Sequence, residues 1–335
     1  MMDRRSVRSR GELIALTMGL AACGGNPDGP PVRFTVPEGT GLSAVADTLS
    51  RRDIIEWPAL FRLYGQAKGA SAQIKPGVYE VQAGTAWGEI LEKLVDGDIV
   101  RESLVIPEGW TATQIAARIA AISSVPADSV LPLLLDTAAA GTHGVPGPTL
   151  EGYLYPATYV LPVGISAGAT VQAMVRRYRQ VWTEELRALA DSAGLSEREV
   201  VTLASIVEKE AKQWTERDTI AAVYRNRLRI GMPLQADPTV QYALGTHQRR
   251  LLYSHIADVA DNPYNTYTHA GLPPGPIASP SEGSIRAVLQ PADVPYLYFV
   301  ARPDGTHVFT RSLAEHNNAK NRIRRELNES AGGSR

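Results

Sequence analysis

Two glutamates that lie two positions apart are the residues of this chain with the clearest capacity for acid–base chemistry. They are Glu208 and Glu210, in the segment SIVEKEA at 205–211, which otherwise has the composition of a buried helix. Successive residues of a helix are rotated by about 100°, so the two side chains point about 160° apart and do not share a site. Their roles are therefore considered separately.

The helical wheel predicts that Glu210, and not Glu208, faces the protein interior. The apolar stripe around Glu210 consists of Leu203, Ile206, Val207 and Trp214. Because burial disfavours an ionised carboxylate, we expect a raised pKa for Glu210, and such a carboxyl group can donate a proton and later take one back. Glu208 falls beside Lys212 on the opposite face, in a solvated ion pair worth roughly a few tenths of a kcal/mol. The alternative for Glu210, a structural ion pair with Arg217 or with an arginine of 224–229, stays open.

The elements that must position these glutamates form a helix-rich second half of the chain. Ser196 is predicted to cap a helix at 196–211, and Glu199 three residues later completes a capping box. Amphipathic patterns predict neighbouring helices over 170–193 and 216–230. A Gly- and Pro-rich loop region (262–282) follows, then a helix at 282–289, short strands at 296–301 and 307–310, and a C-terminal helix. The predicted fold class is α+β, with a helix-rich domain that carries a small β element.

The N-terminal half contains three copies of one local pattern, which begin at Val36, Val81 and Ile106. Each copy has an apolar start, a glycine three residues later, and apolar or small residues nine, ten and thirteen residues later. This pattern predicts the end of a strand, a tight glycine turn and a short amphipathic helix, and 74–81 is predicted as the strand that enters the second copy. Such units resemble LysM-like modules, which bind polymers of N-acetylglucosamine. The alternative is that strand–helix junctions share this pattern generically.

The first 31 residues resemble a signal for secretion and membrane attachment. Four arginines precede an apolar run of ten residues (13–22), about half of what a bilayer-spanning helix needs. Cys23, the only cysteine, follows in LAACG, which resembles a bacterial lipobox whose cysteine is lipidated. The alternative is a chance cysteine. The predicted divisions are a signal peptide (1–22), a flexible tether (23–31), a LysM-like region (32–148) and a catalytic domain (149–330).

Composition and motifs exclude several classes of function. The net charge is −1 and no domain-scale basic surface is apparent, which argues against a nucleic-acid partner, and the arginines near the C-terminus are expected on a solvated helix face. The six histidines have no metal-ligand spacing, and no nucleophile elbow or phosphate-binding glycine loop is present. Carboxylate chemistry remains, beside loops (231–242 and 263–280) rich in groups that stack on and hydrogen-bond to sugars. These loops could also be ordinary irregular connections.

Several long motifs occur in the order found in one known enzyme family. They are EGYLYPATY, LASIVEKEA, YRNRLRIGMPLQADPTVQY, NTYTHAGLPPGPIASP and PYLYFVA, followed by the pair His316-Asn317. Over about 150–320 the chain thus resembles the YceG-like, or MltG, endolytic murein transglycosylases, and the LysM-like copies fit the N-terminal part of that family. The resemblance implies internal, non-hydrolytic cleavage of peptidoglycan strands between N-acetylmuramic acid and N-acetylglucosamine, with no metal or cofactor.

Within this resemblance, the second glutamate of the Glu-Lys-Glu motif is the catalytic residue. That position is Glu210, which the wheel selects independently. Protonated Glu210 would donate to the glycosidic oxygen, and its carboxylate would then deprotonate the muramyl 6-hydroxyl, which closes a 1,6-anhydro ring. Asp237 precedes Pro238 and could instead cap a helix. The candidate sugar-binding residues are Gln235, Asp237, Tyr264, Asn265 and Tyr267.

Two other functions stay open on the sequence alone. A hydrolytic muramidase would need a second carboxylate, for which Asp237 and Asp261 are candidates. A non-catalytic peptidoglycan-binding lipoprotein would rely on the LysM-like region. The family usually has an N-terminal transmembrane helix, whereas this chain has a lipobox-like end, so the mode of membrane anchoring is expected to differ. The resemblance implies a cell-envelope location, with the catalytic domain on the periplasmic or extracytoplasmic side, and a link to cell-wall synthases.

Overall fold

The structure is a computed structural model that describes residues 29–332, with side chains described through residue 329. By its internal packing the chain divides into two compact units, one up to Val100 and the other from Arg101. Within the described range, the strands form three two-stranded antiparallel sheets, and helices outnumber strands in both units. The predicted α+β class is confirmed.

The smaller unit folds around one two-stranded sheet. Strand β1 (Val32–Val36) pairs antiparallel with β2 (Gly77–Val81), so that Val32 lies opposite Val81 and Val36 opposite Gly77. Alternate residues of both strands face the core, where Phe34 and Tyr79 stack at 5.8 Å between ring centroids. The elements are β1 (Val32–Val36), α1 (Leu42–Arg51), α2 (Pro58–Ala67), a 3₁₀ turn (Ala70–Ala72), β2 (Gly77–Val81) and α3 (Trp87–Asp96).

The predicted strand–turn–helix pattern is present in all three copies. In each copy the glycine after the strand has a left-handed backbone, with φ of +75° at Gly39, +84° at Gly84 and +70° at Gly109. A residue with a Cβ atom is strained in this conformation, which explains the glycine at this position. The first two copies lie in the smaller unit and the third lies in the larger one.

The larger unit is mostly helical. One of its two sheets pairs β3 (Arg101–Val105) with β4 (Thr158–Pro162), and the other pairs β5 (Tyr298–Ala301) with β6 (His307–Thr310). The first elements are β3 (Arg101–Val105), α4 (Ala112–Ser123), α5 (Ala127–Leu135), α6 (Thr137–His143), β4 (Thr158–Pro162), α7 (Ala167–Val181) and α8 (Glu184–Ala193). The later elements are α9 (Glu197–Glu210), a 3₁₀ turn (Trp214–Glu216), α10 (Arg217–Arg229), α11 (Asp237–Leu244), α12 (Tyr253–Asp258), α13 (Glu282–Leu289), β5 (Tyr298–Ala301), β6 (His307–Thr310) and α14 (Leu313–Gly332).

Helix α9 forms the centre of the larger unit. Its residues from Val200 to Val207 are all buried, and helices α8, α10, α11 and α13 pack around it. The predicted capping box is confirmed, because the Ser196 hydroxyl accepts from the Glu199 backbone and the Glu199 carboxylate accepts from the Ser196 backbone at 2.8 Å. Packing on all sides fixes the direction of α9 and therefore the position of its last residue.

One predicted helix is divided in the structure. The single helix expected over 170–193 forms α7 and α8, because Trp182 leaves the helical conformation and the Thr183 side chain caps α8. This break is not marked by glycine or proline, the residues that usually signal a helix end in a sequence. The helix predicted at 196–211 is present as α9 and ends at Glu210.

Some predictions concern residues that the structure does not describe. The signal-like segment 1–22 and Cys23 lie outside the described range, as does most of the tether 23–31. Between residues 29 and 332, no helix is both long and apolar enough to cross a membrane. The division into a LysM-like region that ends at 148 and a catalytic domain from 149 stays a prediction.

Candidate active site

Glu210 is the last residue of α9. The next residue, Ala211, has an extended backbone (φ −71°, ψ 100°), so the chain turns away directly after Glu210. A helix C-terminus carries unpaired carbonyl groups and a partial negative charge, which disfavour a second negative charge there. The wheel is wrong about Trp214, which lies after the end of the helix and is 72% exposed.

The pKa of Glu210 is raised from 4.5 to about 7. Burial is the main cause, and the negative charge of Asp237 adds to it. Two groups act in the opposite direction: the Tyr224 hydroxyl, which donates to Glu210 Oε1 at 2.9 Å, and the positive charge of Arg227. Near neutral pH, Glu210 is therefore present both as an acid and as a carboxylate, as acid–base catalysis by a single group requires.

A structural ion pair does not explain Glu210. Arg217 pairs with Glu208, and Arg227 uses its donors on the carbonyl oxygens of Leu234 and Leu297, at 2.5 and 2.6 Å. In the described part of the chain, no basic side chain lies within ion-pair distance of Glu210. The structure thus disfavours the alternative that Glu210 is a neutralised structural residue.

Glu208 is not the solvated partner of Lys212 that the wheel predicts. Its side chain is only 7% exposed and pairs with Arg217 at 3.0 Å. The other carboxylate oxygen accepts from the backbone and hydroxyl of Ser281, at 3.0 and 2.5 Å, and from the hydroxyl of Ser284 at 2.7 Å. Ser281 caps α13, so Glu208 ties the end of α9 to the start of α13. Glu208 therefore holds structure, as predicted, but its partners are Arg217, Ser281 and Ser284 rather than Lys212.

Asp237, which acts electrostatically on Glu210, is hydrogen-bonded to Tyr267. The Tyr267 hydroxyl donates to Asp237 Oδ1 at 2.5 Å. The pKa of Tyr267 is raised by burial and then by this bond, which keeps the phenol protonated as a donor. Asp237 is exposed at the first position of α11 and does not act as its N-cap, which is Ala236.

Gln235, two residues before Asp237, has a backbone conformation that is unusual for a residue with a side chain. Its φ is +48°, and its backbone N–H donates to the Thr266 carbonyl oxygen at 3.1 Å. A left-handed conformation at a non-glycine residue costs about 1 kcal/mol or more and is common at functional sites. The side chain is exposed. Gln235 and Asp237 are thus accessible to a ligand. Tyr267 is bonded to Asp237, whose charge acts on Glu210.

Tyr264 and Asn265 are placed differently from these candidates. Asn265 is fully buried, and its amide donates to the carbonyl oxygens of Ile256 and Val259 at 2.9 and 3.1 Å. Its oxygen accepts from the Tyr267 backbone, so Asn265 shapes the loop and leaves no amide hydrogen for a sugar. Tyr264 is part-buried and packs its ring 4.9 Å from that of Tyr242.

Sequence reasoning missed a second carboxyl group with an altered acidity. Glu151 is 2% exposed, and burial raises its pKa to about 7. Both of its oxygens accept from the backbone N–H of Ala112 at the start of α4, and Tyr242 donates to it as well. The residue stands in the motif EGYLYPATY, but motif membership alone carries no signal that the side chain is buried. Full burial separates Glu151 from any ligand.

The segment that follows Glu210 is held by the hairpin of β5 and β6. Glu216 accepts from the backbone of His307 at 3.0 Å and lies 2.7 Å from the His307 ring nitrogen Nδ1. Arg227 lies over the Tyr298 ring at 5.4 Å, and His316 packs 5.6 Å from the same ring. The predicted strands and the His316-Asn317 segment therefore support the site from one side. Between residues 29 and 332, no cluster of three potential ligands is placed to hold a metal ion.

Comparison with known proteins extends across both compact units. A model of the YceG-like family matches residues 34–322. An endolytic murein transglycosylase of Bacillus subtilis is 36% identical over 315 residues, which span 89% of this chain and 86% of that protein. An endolytic murein transglycosylase of Streptococcus pneumoniae is 30% identical over 331 residues, which span 86% of this chain and 59% of that protein.

A solved structure also indicates similarity to YceG-like proteins. The crystal structure of a YceG-like protein from Listeria monocytogenes matches with a TM-score of 0.60 and 33% identity, over 86% of this chain and 99% of that one. The chain belongs to the YceG-like family, and the resemblance that its motifs predicted is confirmed. The roles of individual residues within the site stay predictions.

Proposed function

We propose that this protein is an endolytic murein transglycosylase and that Glu210 is its general acid and base. The observation that carries the role of Glu210 is its environment, a part-buried carboxyl with a pKa of about 7 that is hydrogen-bonded by a phenol. The relatives that bear this activity in their names support the reaction. The substrate would be the glycan strand of peptidoglycan, and the role would be to end new strands.

One carboxyl group is sufficient for this reaction. Protonated Glu210 donates its proton to the oxygen between N-acetylmuramic acid and N-acetylglucosamine, and the bond from that oxygen to C1 of the muramyl residue breaks. The carboxylate then removes the proton from the muramyl 6-hydroxyl, whose oxygen bonds to the electron-poor C1. The products are a 1,6-anhydro end and a new N-acetylglucosamine end. Water is not consumed, and Glu210 returns to its protonated form.

The neighbours of Glu210 suit these steps. Burial and the adjacent Glu210 raise the pKa of Tyr224, so its hydroxyl stays a donor and holds Oε1 while Oε2 carries the transferred proton. The negative charge of Asp237 keeps Glu210 protonated at higher pH and would stabilise the positive charge that develops at C1. Gln235 and Tyr267 would bind sugar hydroxyl and N-acetyl groups.

Hydrolysis by a second carboxylate is the competing reaction. A retaining glycosidase places two carboxylates about 5 Å apart. Asp237 is the carboxylate that acts on Glu210, but its Oδ1 already accepts from Tyr267. Reducing ends in the product, with water consumed, would identify a hydrolase, and Asp237→Asn and Asp261→Asn would then be compared to find the second group.

The smaller unit is proposed to bind the same polymer in a LysM-like way. Helices α1 and α2 enclose a shallow pocket of about 380 Å³ that Ser43, Arg62 and Gln66 line together with apolar side chains. Hydroxyl, guanidinium and amide donors above an apolar floor suit the polar and apolar faces of a sugar. Arg62→Ala would then weaken the retention of the chain on purified peptidoglycan, and unchanged retention would remove the pocket from the proposal.

Membrane attachment is proposed through Cys23, which precedes the described residues. The apolar run and LAACG support a lipidated cysteine at the end of a short tether, with the catalytic residues outside the cytoplasm. A Cys23→Ser variant should then appear in the soluble extracytoplasmic fraction. Persistence of that variant in the membrane fraction would point to an uncleaved membrane segment instead.

The decisive experiment is a digest of purified glycan strands, with the products identified by mass spectrometry. Wild type, Glu210→Gln and Glu184→Gln would be compared as residues 24–335. Glu184 is an exposed glutamate without a hydrogen bond or ion pair within the described residues, so it is a matched control for the loss of one carboxylate. Glu208→Gln would serve poorly as a control, because Glu208 holds α13.

Each outcome of the digest has a defined meaning. Anhydro-ended fragments from wild type and Glu184→Gln, but not from Glu210→Gln, would establish the proposed reaction and the role of Glu210. Anhydro-ended fragments from Glu210→Gln as well would assign the proton transfer to another residue. Intact strands in all three digests, with binding retained, would favour a peptidoglycan-binding protein without activity.

A further inference from the structure

An open groove between β6 and α14 has an unusual lining. Its volume is about 930 Å³, and Val308 and Ala319 contribute apolar parts of its wall. Most of the remaining lining consists of two residue types with planar, hydrogen-bonding ends. These are the asparagines Asn318, Asn321 and Asn328 and the arginines Arg322, Arg324 and Arg325. We call this surface the Asn/Arg groove.

The donors of the Asn/Arg groove are largely unused. Arg324 and Arg325 form no ion pair within the described residues, whereas Arg322 has a weak contact of 4.0 Å with Glu326. The three asparagines form no side-chain hydrogen bond to another described residue. The acidic residue of the lining, Glu315, accepts from the Arg311 backbone. The groove therefore has an excess of positive charge and of free N–H groups.

These donor types select one class of ligand. A guanidinium group binds a carboxylate through two parallel hydrogen bonds, and an asparagine amide can both donate to and accept from a peptide group. The aromatic rings that usually stack on sugars do not line the groove. We propose that the Asn/Arg groove binds an acidic peptide, namely the carboxylate-bearing side peptides that peptidoglycan strands carry. The choice of this peptide rests on the proposed function.

The groove and Glu210 are connected through one hairpin. The Tyr298 ring of β5 contacts His316 of α14, and Arg227 lies over the same ring and acts electrostatically on Glu210. Helix α14 packs on both β5 and β6. A strand whose sugar is held at Glu210 could thus present a neighbouring side peptide to the groove, and the enzyme would favour peptide-bearing strands over bare ones.

The test measures binding separately from cleavage. The full-length Glu210→Gln variant would be titrated with four probes: a synthetic acidic side peptide, peptide-bearing strands, strands from which the peptides have been removed, and vesicles of phosphatidylglycerol. Arg324→Gln/Arg325→Gln would be compared with the control Arg176→Gln/Arg187→Gln, which removes two exposed arginines elsewhere on the larger unit. Thermal unfolding of both doubles would verify that they fold.

We expect the Arg324→Gln/Arg325→Gln double to bind the peptide and the peptide-bearing strands about tenfold or more weakly, with unchanged affinity for bare strands. Equal affinities in the two doubles would overturn the proposal. Binding of the groove to vesicles of phosphatidylglycerol, but not to peptide, would assign it to lipid phosphates and would also overturn it. Cleavage of bare strands by wild type tests the proposed function independently, so either idea can fail alone.

Discussion

Glu208 and Glu210 are two residues apart, yet their partners differ in kind. Glu208 accepts four hydrogen bonds, one of them from an arginine, which stabilise its charge. Glu210 accepts one bond from a phenol and lies near a second negative charge. The first arrangement joins two helices, and the second favours a group that exchanges a proton near neutral pH.

The pH dependence of cleavage follows from the protonated state of Glu210. The rate should fall as the pH rises through about 7, because the carboxylate has no proton to donate. The Tyr224 hydrogen bond lowers the pKa of Glu210, so Tyr224→Phe should move this decline to higher pH while the maximal rate falls about tenfold through lost orientation. Initial rates of anhydro-end formation between pH 5 and 9 would measure both effects.

A matched control for this change is Tyr253→Phe, since Tyr253 is 88% exposed. That variant should keep the wild-type profile. A decline that stays in place, or moves to lower pH, in Tyr224→Phe would contradict the role given to the Tyr224 hydroxyl.

At the scale of elements, the sequence predicts the end of α9 to within one residue but misses the break at Trp182 that divides 170–193. The buried stripe of Leu203, Ile206 and Val207 is correct because periodicity reports the face of a helix that is packed. The wheel is wrong beyond Glu210, where Trp214 is exposed, because that segment is held by residues about ninety positions away, such as the His307 contact of Glu216. Long-range contacts of this kind do not appear in a helical wheel.

The same limit explains which features of the candidate site the sequence could predict. Residue types in the loops were sufficient to select Asp237 and Tyr267, which the structure brings together. They were not sufficient to show that the Asn265 amide group donates both of its hydrogens to backbone carbonyl oxygens. Nor did they show that the serine partners of Glu208 are 73 and 76 positions away. Residue chemistry is readable in a sequence, whereas the identity of the bonded partner is a property of the fold.

The link between α9 and α13 is expected to depend on Glu208. Glu208→Gln leaves the part-buried Arg217 with only its longer, 3.6 Å contact to the exposed Glu108, so the free energy of unfolding should fall by about 2 kcal/mol. The protein that remains folded should still form anhydro ends. Glu210→Gln should show the reverse, with no such loss of stability at neutral pH and no activity. Urea unfolding and strand digestion of both variants would measure the difference.

Glu184→Gln is the reference for that comparison, because it removes an exposed carboxylate. Equal stability of Glu208→Gln and this reference would show that the bonds to Ser281 and Ser284 contribute little to folding.

At the scale of the whole larger unit, two carboxyl groups are buried at an energetic cost. Glu151 and Glu210 each have a pKa raised from 4.5 to about 7, chiefly by burial. Glu210 ends α9, whereas Glu151 lies in the loop before β4 and accepts from the first residue of α4, so the two carboxyl groups are in separate parts of the fold. A raised pKa means that the folded state holds the proton more tightly than the unfolded chain does.

The stability of the fold should therefore decline between about pH 4.5 and 7. The contribution of Glu151 is fully present below its unfolded pKa of 4.5 and is lost as the pH rises through about 7, which amounts to about 3 kcal/mol at most. Glu151→Gln removes this dependence, because an amide does not titrate and its oxygen can still accept from Ala112. Relative to wild type, the variant should gain stability from pH 5 to pH 8.

Urea unfolding at several pH values would measure this gain. Glu184→Gln should follow the wild-type curve throughout, since its removed carboxylate is exposed. A difference between Glu151→Gln and wild type that stays constant with pH would mean that Glu151 is ionised alike in the folded and unfolded chains. In that event the bonds from Ala112 and Tyr242 would be strong enough to offset burial, and Glu151 would act as a charged anchor for the start of α4.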